Sequence, residues 1–285
     1  MRYVTRFAPR PTGPLHLGHA FSALTAFYRA QARGGDMLLR IEDIDTARSK
    51  PQWEALIHQD LRWLGLSWPA PVMRQSDRLP AYRAALDRLI AMGLCYPCNC
   101  TRGDIRAALS APQEGAAVQG PDGLVYPGTC RARPMAEATA QDAIRLDIAR
   151  AMDRLAAAPG FTETGPLHPG DHRLARDHAI GGIGDTVLAR RDIGASYHLA
   201  VVVDDAEQRI TEIVRGADLF DATFIHVLLQ DLLGLPRPDY HHHVLIRDDA
   251  GKRLAKRDDA RAIHTYREAG LTPRDIRRMV GLEQG

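Results

Sequence analysis

The hydrophobic positions of the first ninety residues follow two different periods. Residues 3–7 and 37–41 are short apolar runs bounded by Pro, Gly or acidic residues, which is typical of β-strands. Residues 17–32, 53–64 and 79–92 repeat apolar side chains every three or four positions, the spacing of one helix face. This alternation of strands and helices predicts an α/β fold with a doubly wound parallel sheet.

The same alternation returns late in the chain after a long interruption. Between residues 96 and 190 the periodicity is weak and Gly and Pro are frequent, which indicates an inserted subdomain. Beyond it, residues 199–203 and 210–214 are predicted strands, and residues 222–233 are a predicted helix. We therefore expect the first half of a Rossmann-like catalytic domain, the inserted subdomain, the second catalytic half and a short helical end, at residues 1–95, 96–190, 191–246 and 247–285.

The composition is that of an ordinary globular protein. With 45% hydrophobic and 25% charged residues and a net charge of +2, the 285-residue chain is neither a disordered tail nor a fibre. No apolar stretch approaches the ~18 residues of a membrane span, and no apolar segment follows the first arginines, so we expect no membrane contact and a cytoplasmic location. Only three residues are lysines, and two of them, Lys252 and Lys256, lie close together.

The most specific motif is the Pro- and Gly-rich stretch of residues 6–19, which ends in His16-Leu17-Gly18-His19. Two imidazoles flank a glycine where a predicted loop enters a helix. A helix start attracts phosphate through its backbone N–H groups and its dipole. His16 and His19 can donate to phosphoryl oxygens, and Gly18 permits close approach. The alternative is a pair of surface histidines at a loop–helix junction.

A second motif is a dense cluster of cations at residues 252–257, after Gly251. A flexible basic loop can close on a polyphosphate and neutralise a departing pyrophosphate. Lysine is scarce elsewhere in the chain, so a retained lysine indicates that a compact point charge is needed. The alternative is a solvated basic loop.

Together these two motifs resemble the two signatures of class I aminoacyl-tRNA synthetases, and residues 6–19 are similar to the opening of the glutamyl-tRNA synthetase group. Further matches follow in order along the chain: residues 40–45 with Arg48, Tyr197 before residues 199–205, and residues 214–219. Only 28 residues (285 − 257) follow Arg257, too few for the helical anticodon-binding module of discriminating glutamyl-tRNA synthetases. The chain therefore resembles the truncated paralogues of that group, the glutamyl-Q tRNA(Asp) synthetase family.

This resemblance implies a class I synthetase fold and an ATP-dependent ligase. The family activates L-glutamate with ATP to glutamyl-adenylate without RNA, and then attaches glutamate to the queuosine base in the anticodon of tRNA(Asp). The implied partners are L-glutamate, ATP with Mg²⁺ and queuosine-containing tRNA(Asp), and we expect a monomer. The family's glutamate pocket maps onto eight positions: Arg6, Phe7, Ala8, Pro9, Arg10, Glu42, Tyr197 and Arg215.

Physical chemistry supports several of these glutamate-binding roles. Arg6 and Arg215 can pair with substrate carboxylates, because a guanidinium fork matches both their shape and their charge. Glu42 can hold the α-ammonium group, and Tyr197 can add a hydroxyl contact. The alternatives are a structural ion pair of Glu42 with Arg40 or Arg48, and a core position for Tyr197.

For ATP, the resemblance implies binding by His16, Gly18, His19 and Lys256. His16, His19 and Lys256 would be the catalytic residues, by contacting phosphates and steadying the pyrophosphate. Two positions depart from the family pattern. Arg10 and Ala255 each stand where the family usually has Ser, so a cation is expected near the substrate ammonium and one phosphate hydrogen bond is expected to be lost.

The cysteines indicate a metal site, because Cys98, Cys100 and Cys130 supply the soft thiolates that zinc prefers. Composition alone offers Cys95 as the fourth ligand. The resemblance points instead to Tyr126, because these families pair Cys-x-Cys with Tyr-x-x-x-Cys. It therefore implies one structural zinc ion bound by Cys98, Cys100, Tyr126 and Cys130. The alternative is a set of reduced, metal-free cysteines.

Three other functions compete with this one. A discriminating glutamyl-tRNA synthetase would charge an acceptor end, but the short tail opposes it. A small-molecule nucleotidyltransferase can share the His-x-Gly-His motif, but gives no reason for Arg215 or for the cysteines. A catalytically idle RNA-binding paralogue is suggested by Arg10 and Ala255, and predicts tRNA retention without adenylate formation.

Overall fold

This computed structural model describes residues 2–110, 118–192, 194–246 and 261–282. In those ranges the strands are β1 Val4–Phe7, β2 Asp36–Ile41, β3 Met73–Arg74, β4 Cys95–Cys98, β5 Gln119–Gly120, β6 Gly123–Leu124, β7 Ala143–Leu146, β8 Gly160–Glu163, β9 Gly170–Arg173, β10 Val187–Ala189, β11 Glu212–Gly216 and β12 Asp239–His243. The α-helices are α1 Leu17–Ala32, α2 Pro51–Trp63, α3 Leu79–Ala91, α4 Arg102–Ser110, α5 Ile148–Arg154, α6 Arg176–His178, α7 Tyr197–Glu207, α8 Ala222–Leu233, α9 Ile263–Glu268 and α10 Pro273–Met279.

The central sheet is mostly parallel and is assembled from both ends of the chain. β1 pairs with β2 and β2 with β3, while β11 pairs with β12 and β12 with β8, all in parallel. β9 closes this edge as an antiparallel neighbour of β8. The two halves meet where Thr211 N–H donates to Val4 O at 2.8 Å, which sets β11 beside β1.

The resulting strand order is β3-β2-β1-β11-β12-β8-β9. The strands on the two sides of the β1–β11 junction follow in opposite orders, so the order in which the chain adds strands reverses at this point. In open α/β sheets this reversal opens a crevice at the carboxyl ends of the strands, where ligands bind. The prediction of an α/β fold with a parallel sheet is confirmed.

Two apolar cores cover the two sides of the sheet. One contains the buried side of α1, α2, α9 and α10, and the other contains α3, α5, α7 and α8. The apolar pattern had predicted α1 and α8 with their observed bounds. α1 buries one stripe of its surface, whereas α8 is buried on nearly every side. Among the described residues, no helix has the length and apolar character needed to cross a bilayer.

The predicted strand at residues 199–203 is wrong, because this segment belongs to helix α7. Ser196 caps the helix, and its Oγ accepts from Leu199 N–H at 3.3 Å. The run of valines had favoured a strand, but an apolar run buried on all sides fits a core helix equally well. The cap and the burial therefore override the β-propensity of the valines.

The long middle segment contributes to more than one sheet. β4, β7 and β10 form a separate antiparallel sheet, and β5 and β6 form a short hairpin. β8 and β9, also from the middle segment, join the central sheet through β12. The middle segment thus reaches the sheet that carries the cavity described below.

Candidate active site

A cavity of about 660 Å³ opens at the carboxyl ends of β1, β2, β11 and β12, beside the first residues of α1 and α7. This volume is in the range of pockets that bind small molecules and cofactors. The cavity brings together all predicted glutamate and ATP residues that lie in the described part of the chain: Arg6, Phe7, Ala8, Pro9, Arg10, His16, Gly18, His19, Glu42, Tyr197 and Arg215.

His16 and His19 form a close pair of tilted rings at the start of α1. His16 Nδ1 accepts the Gly18 N–H at 3.1 Å, and His19 Nδ1 accepts the His16 N–H at 3.1 Å. The ring centroids lie 3.8 Å apart. Two backbone donors expected to be open to phosphate are therefore held by imidazoles. Because both Nδ1 atoms accept, the proton of each neutral ring resides on Nε2.

Arg6 is anchored from behind by a buried ion-pair cluster. Its Nε donates to Asp205 Oδ1 at 3.0 Å, and the same oxygen accepts from Arg40 Nη1 at 2.7 Å. Burial raises the pKa of Asp205, but the charges of Arg40 and Arg6 outweigh it, so the pKa lies below its ordinary value. Asp205 therefore stays ionised and fixes Arg6.

Glu42 follows β2 and is contacted from two sides. Arg40 Nη2 lies 3.4 Å from its Oε1, so the structural ion pair considered above is present, whereas Arg48 pairs elsewhere. Arg10 Nε lies 3.6 Å from Glu42 Oε2, and the Arg10 guanidinium sits 4.9 Å above the ring centroid of Tyr197. Arg10 thus points into the cavity, and half of its side chain remains exposed.

Arg215, on β11, is 6% exposed. Its Nε donates to His242 Nε2 and its Nη1 to His226 Nδ1, both at 3.1 Å. Its Nη2 donates to Thr223 Oγ1 at 2.7 Å and to Leu219 O at 3.3 Å. Within the described ranges, no carboxylate forms a salt bridge with Arg215, so this buried cation has only neutral partners.

The second motif, including Lys256 and the departure at Ala255, lies outside the described residues. The chain on either side of it borders the cavity. Ile246 lines the cavity wall, and Ala262 pairs with His16 in an isolated β-bridge. Ile263 N–H also donates to Leu15 O at 2.8 Å.

Sequence reasoning missed the histidines around Arg215. His198 is buried and lines the cavity, whereas His226 and His242 are buried behind its wall. His243 also lines the cavity, and its Nε2 lies 2.7 Å from Ser22 Oγ. The only available signal was the run of three histidines at 241–243, directly before an apolar segment. The hairpin turn that carries Asp122 also lines the cavity, and nothing in its sequence indicated this.

Three cysteines and a tyrosine form a separate cluster. The sulfurs of Cys98, Cys100 and Cys130 lie within 4.8 Å of one another, and those of Cys100 and Cys130 are 3.5 Å apart. Tyr126 Oη lies 3.4 Å from Cys98 Sγ and 3.3 Å from Cys100 Sγ. Cys95 packs instead in a large apolar core, where burial raises its pKa to about 12. Three close thiols of this kind can bind a metal ion.

Comparisons with known proteins agree with this geometry. The family of class I tRNA synthetases (E and Q), catalytic domain, matches residues 2–159 and 161–283. The crystal structure of a glutamate tRNA ligase from Elizabethkingia meningosepticum, in complex with its amino acid, superposes with a TM-score of 0.77 at 27% identity. It covers 99% of this chain, and this chain spans 61% of that ligase. The chain belongs to the class I tRNA synthetases of the glutamate and glutamine type, and is a ligase.

Its curated relatives narrow the family further. A protein of Rhodobacter capsulatus named glutamyl-Q tRNA(Asp) synthetase is 61% identical over 98% of this chain and 100% of its own length. One of the same name from Albidiferax ferrireducens is 41% identical over 93% of this chain and 87% of its own. The resemblance to the glutamyl-Q tRNA(Asp) synthetase family is thereby confirmed.

Proposed function

We propose that this chain activates L-glutamate with ATP to glutamyl-adenylate without RNA, and then transfers the glutamyl group to the queuosine base of tRNA(Asp). The names of the curated relatives support this acceptor. The observation that carries the choice of an acidic amino acid is Arg215, a buried cation at the cavity wall.

Arg215 favours an anionic ligand because burying a cation without a counter-ion is costly. A guanidinium has five N–H groups, and the described contacts use four of them. The remaining Nη1 N–H can donate one charge-assisted hydrogen bond to a substrate carboxylate. A single bond of this kind replaces the two-pronged fork that the sequence suggested.

Glu42 and Arg6 complete the amino-acid site. The Glu42 carboxylate lies on the cavity wall and suits the α-ammonium group, provided that the substrate displaces Arg10. Arg6 uses Nε for Asp205 and Nη1 for Val214 O at 3.4 Å, so its Nη2 can donate to a substrate oxygen. The Tyr197 ring forms a side wall beside them.

His16 and His19 carry the ATP part of the proposal. Their Nε2–H groups suit phosphoryl oxygens, since each Nδ1 is held by the backbone. Bound Mg²⁺ would neutralise phosphate charge. An oxygen of the glutamate carboxylate attacks the α-phosphorus and pyrophosphate leaves, so the protein positions reactants and neutralises charge without a nucleophile of its own. The resemblance assigns the pyrophosphate contact to Lys256.

Incubation with labelled glutamate and ATP tests the acceptor. We expect label on tRNA(Asp) that contains queuosine, and none on tRNA(Asp) that lacks it. The queuosine base lies in the anticodon, whereas acceptor charging takes place at the 3′ end. Nuclease digestion separates these two parts of the tRNA and so locates the label. Label at the acceptor end of a tRNA, or retained RNA without label, would refute the proposal.

We further propose that Cys98, Cys100, Tyr126 and Cys130 bind one structural zinc ion. Zinc–sulfur bonds of about 2.3 Å in a tetrahedral site place sulfurs about 3.8 Å apart, close to the arrangement of these thiols. Bound zinc would crosslink β4 to the loop that contains Tyr126. The donor set fits a closed site, so we assign it no part in the reaction.

Metal analysis checks the zinc proposal. We expect about one zinc per chain in the wild-type protein and in Cys95→Ala, because Cys95 lies in a different core. Cys100→Ser should lose the metal and lower the melting temperature by several degrees. Equal zinc content in both variants would exclude this ligand set.

A further inference from the structure

The histidines around Arg215 have their protonation fixed by the chemistry of arginine. A guanidinium donates hydrogen bonds and never accepts them. Each imidazole nitrogen that faces Arg215 must therefore accept, so the proton of a neutral ring has to lie on its other nitrogen. This argument can be followed outward from Arg215 in two directions.

The first direction runs through His242 to Glu163. His242 Nε2 accepts from Arg215 Nε at 3.1 Å, so its Nδ1 carries the proton and donates to Glu163 Oε2. The other oxygen of Glu163 accepts the backbone N–H groups of His242 at 2.9 Å and Gly165 at 2.6 Å. Burial lowers the pKa of His242, which keeps the ring neutral. The donor that faces Nε2 and the carboxylate that faces Nδ1 thus specify the same tautomer of His242, with its proton on Nδ1.

The second direction runs through two further histidines to Asp122. His226 Nδ1 accepts from Arg215, so its Nε2–H donates to His198 Nδ1 at 3.1 Å. His198 Nε2 then carries the proton and lies 3.5 Å from Asp122 Oδ1. Burial and the charge of Arg215 place the pKa of His226 well below its ordinary value. Both directions therefore end on a carboxylate.

We propose that these two arms, His242–Glu163 and His226–His198–Asp122, position the Arg215 guanidinium for the substrate carboxylate. This inference rests on the proposed function, because it takes Arg215 to bind glutamate. Glu163, His242, His226 and His198 are positioning residues and not catalytic ones. Each arm orients Arg215 through a neutral ring, so the guanidinium is held in place while its charge is kept for the ligand.

The two carboxylates come from the middle segment of the chain, whereas Arg215 and the three histidines lie beyond residue 190. Glu163 ends β8, and Asp122 lies in the turn between β5 and β6, where its side chain is 46% exposed. Glu163 is buried, so its arm is shielded from water and carries the larger share of the positioning. The Asp122 arm meets solvent, and water can replace its last contact.

Glu163→Gln tests the first arm with almost no change of shape. Gln must still accept the two backbone N–H groups through its oxygen, so its amide nitrogen faces His242 Nδ1 and donates. That forces the ring proton onto Nε2, against the Arg215 Nε–H. We expect the KM for glutamate in ATP–pyrophosphate exchange to rise about tenfold or more, with the KM for ATP changed less than twofold.

Glu212→Gln is the matched control. Glu212 is a buried carboxylate at the opposite end of β11, bonded to Arg29 and Thr164 and absent from the cavity. Both variants should lose stability, but only Glu163→Gln should raise the KM for glutamate. An equal KM in the two folded variants overturns the proposal. Absence of glutamate-dependent exchange in the wild-type protein would instead overturn the proposed function.

Histidine NMR of the wild-type protein tests the arms independently of activity and of variant folding. In ¹⁵N-histidine-labelled protein, we expect His242 as the Nδ1–H tautomer and His226 as the Nε2–H tautomer, both neutral at pH 7, and a hydrogen-bonded His198 Nδ1 that carries no proton. Finding His242 in the Nε2–H form, or His226 charged, would overturn the proposal even if the enzyme activates glutamate.

Discussion

Two arginines face the same cavity from neighbouring strands, and the protein treats their charges in opposite ways. Arg6 and Arg215 are 5% and 6% exposed. Arg6 forms a direct ion pair with Asp205 at 3.0 Å, inside a cluster that also contains Arg40. The described hydrogen-bond partners of Arg215 are two imidazoles, a hydroxyl and a carbonyl oxygen.

This difference separates two tasks. A buried ion pair fixes geometry, but its charges largely cancel. Neutral hydrogen-bonding partners also fix geometry, yet they leave the cation uncompensated and ready for an anion. The Arg6 side therefore acts mainly as a frame for the cavity, and the Arg215 side supplies attraction for a substrate carboxylate.

Exchanging each arginine for methionine gives the largest expected effect. We expect Arg215→Met to lower kcat/KM for glutamate by about 100-fold or more, because a charged hydrogen bond to the substrate is lost. Arg6→Met should cost less activity. The measurement is glutamate-dependent ATP–pyrophosphate exchange.

The same pair should reverse its order in stability. Arg6→Met breaks a buried ion pair and should lower the free energy of unfolding by about 3 kcal/mol. Arg215→Met breaks none, and the Thr223 hydroxyl, 3.2 Å from His242 Nε2, can turn to donate to it. We expect a loss of about 1 kcal/mol, measured by urea unfolding. If both quantities fall most in the same variant, the contrast between the two sides is wrong.

Asp205→Asn should destabilise the frame without touching the Arg215 side. It would leave Arg6 and Arg40 sharing a neutral amide, and Arg40 is fully buried. We expect a loss of about 3–5 kcal/mol in urea unfolding. Asp192→Asn, at an exposed ion pair with Arg190, is the control and should change stability by less than about 1 kcal/mol. Similar losses in the two variants would count against the buried frame.

The two sides should also lose stability in different pH windows. The pKa of His226 is depressed, mainly by burial, so below pH ~6.5 the unfolded chain binds a proton that the folded chain does not. Stability then falls as pH drops, by up to about 1.4 kcal/mol per pH unit for each such histidine. Asp205 has a lowered pKa and contributes stability that is lost only below pH ~3.9.

His226→Gln isolates the upper window. Its amide oxygen can accept from Arg215 and its amide nitrogen can donate to His198, but it does not titrate. We expect the fall in unfolding free energy between pH 7.5 and 5.5 to shrink by about 1 kcal/mol relative to the wild-type protein. An unchanged slope would show that this buried histidine is not kept neutral.

Arg10→Ser should give the smallest effect and acts at the rim between the two sides. Arg10 lies 3.6 Å from Glu42, which the substrate ammonium is proposed to contact. Exposed pairs are worth roughly 0.2–1 kcal/mol, so removing Arg10 should lower the KM for glutamate by about threefold. Arg10→Lys, which keeps the charge, should not. A higher KM in Arg10→Ser would mean that Arg10 helps to bind the substrate.

Local patterns predicted one side of the site better than the other. Residues 6–19 contain Arg6, His16 and His19 in one continuous motif, so strand, loop and helix start were visible together. The spacing of apolar residues likewise predicted α1 and α8. Such features depend on neighbours in sequence, which a single chain displays directly.

The partners of Arg215 could not be predicted, because they meet only through the fold. Glu163 and His242 are 79 positions apart and come together where β8 flanks β12. Asp122 reaches His198 from a hairpin turn, and α7 was expected to be a strand. No spacing rule links these residues, so tertiary structure was needed to find the two arms.

The most direct test of the central claim is ATP–pyrophosphate exchange in the complete absence of RNA. We predict exchange that depends on L-glutamate, saturates with it and is lost in Arg215→Met. Exchange that begins only when tRNA is added, or that proceeds equally with an uncharged amino acid, would contradict an RNA-independent site built around an uncompensated arginine.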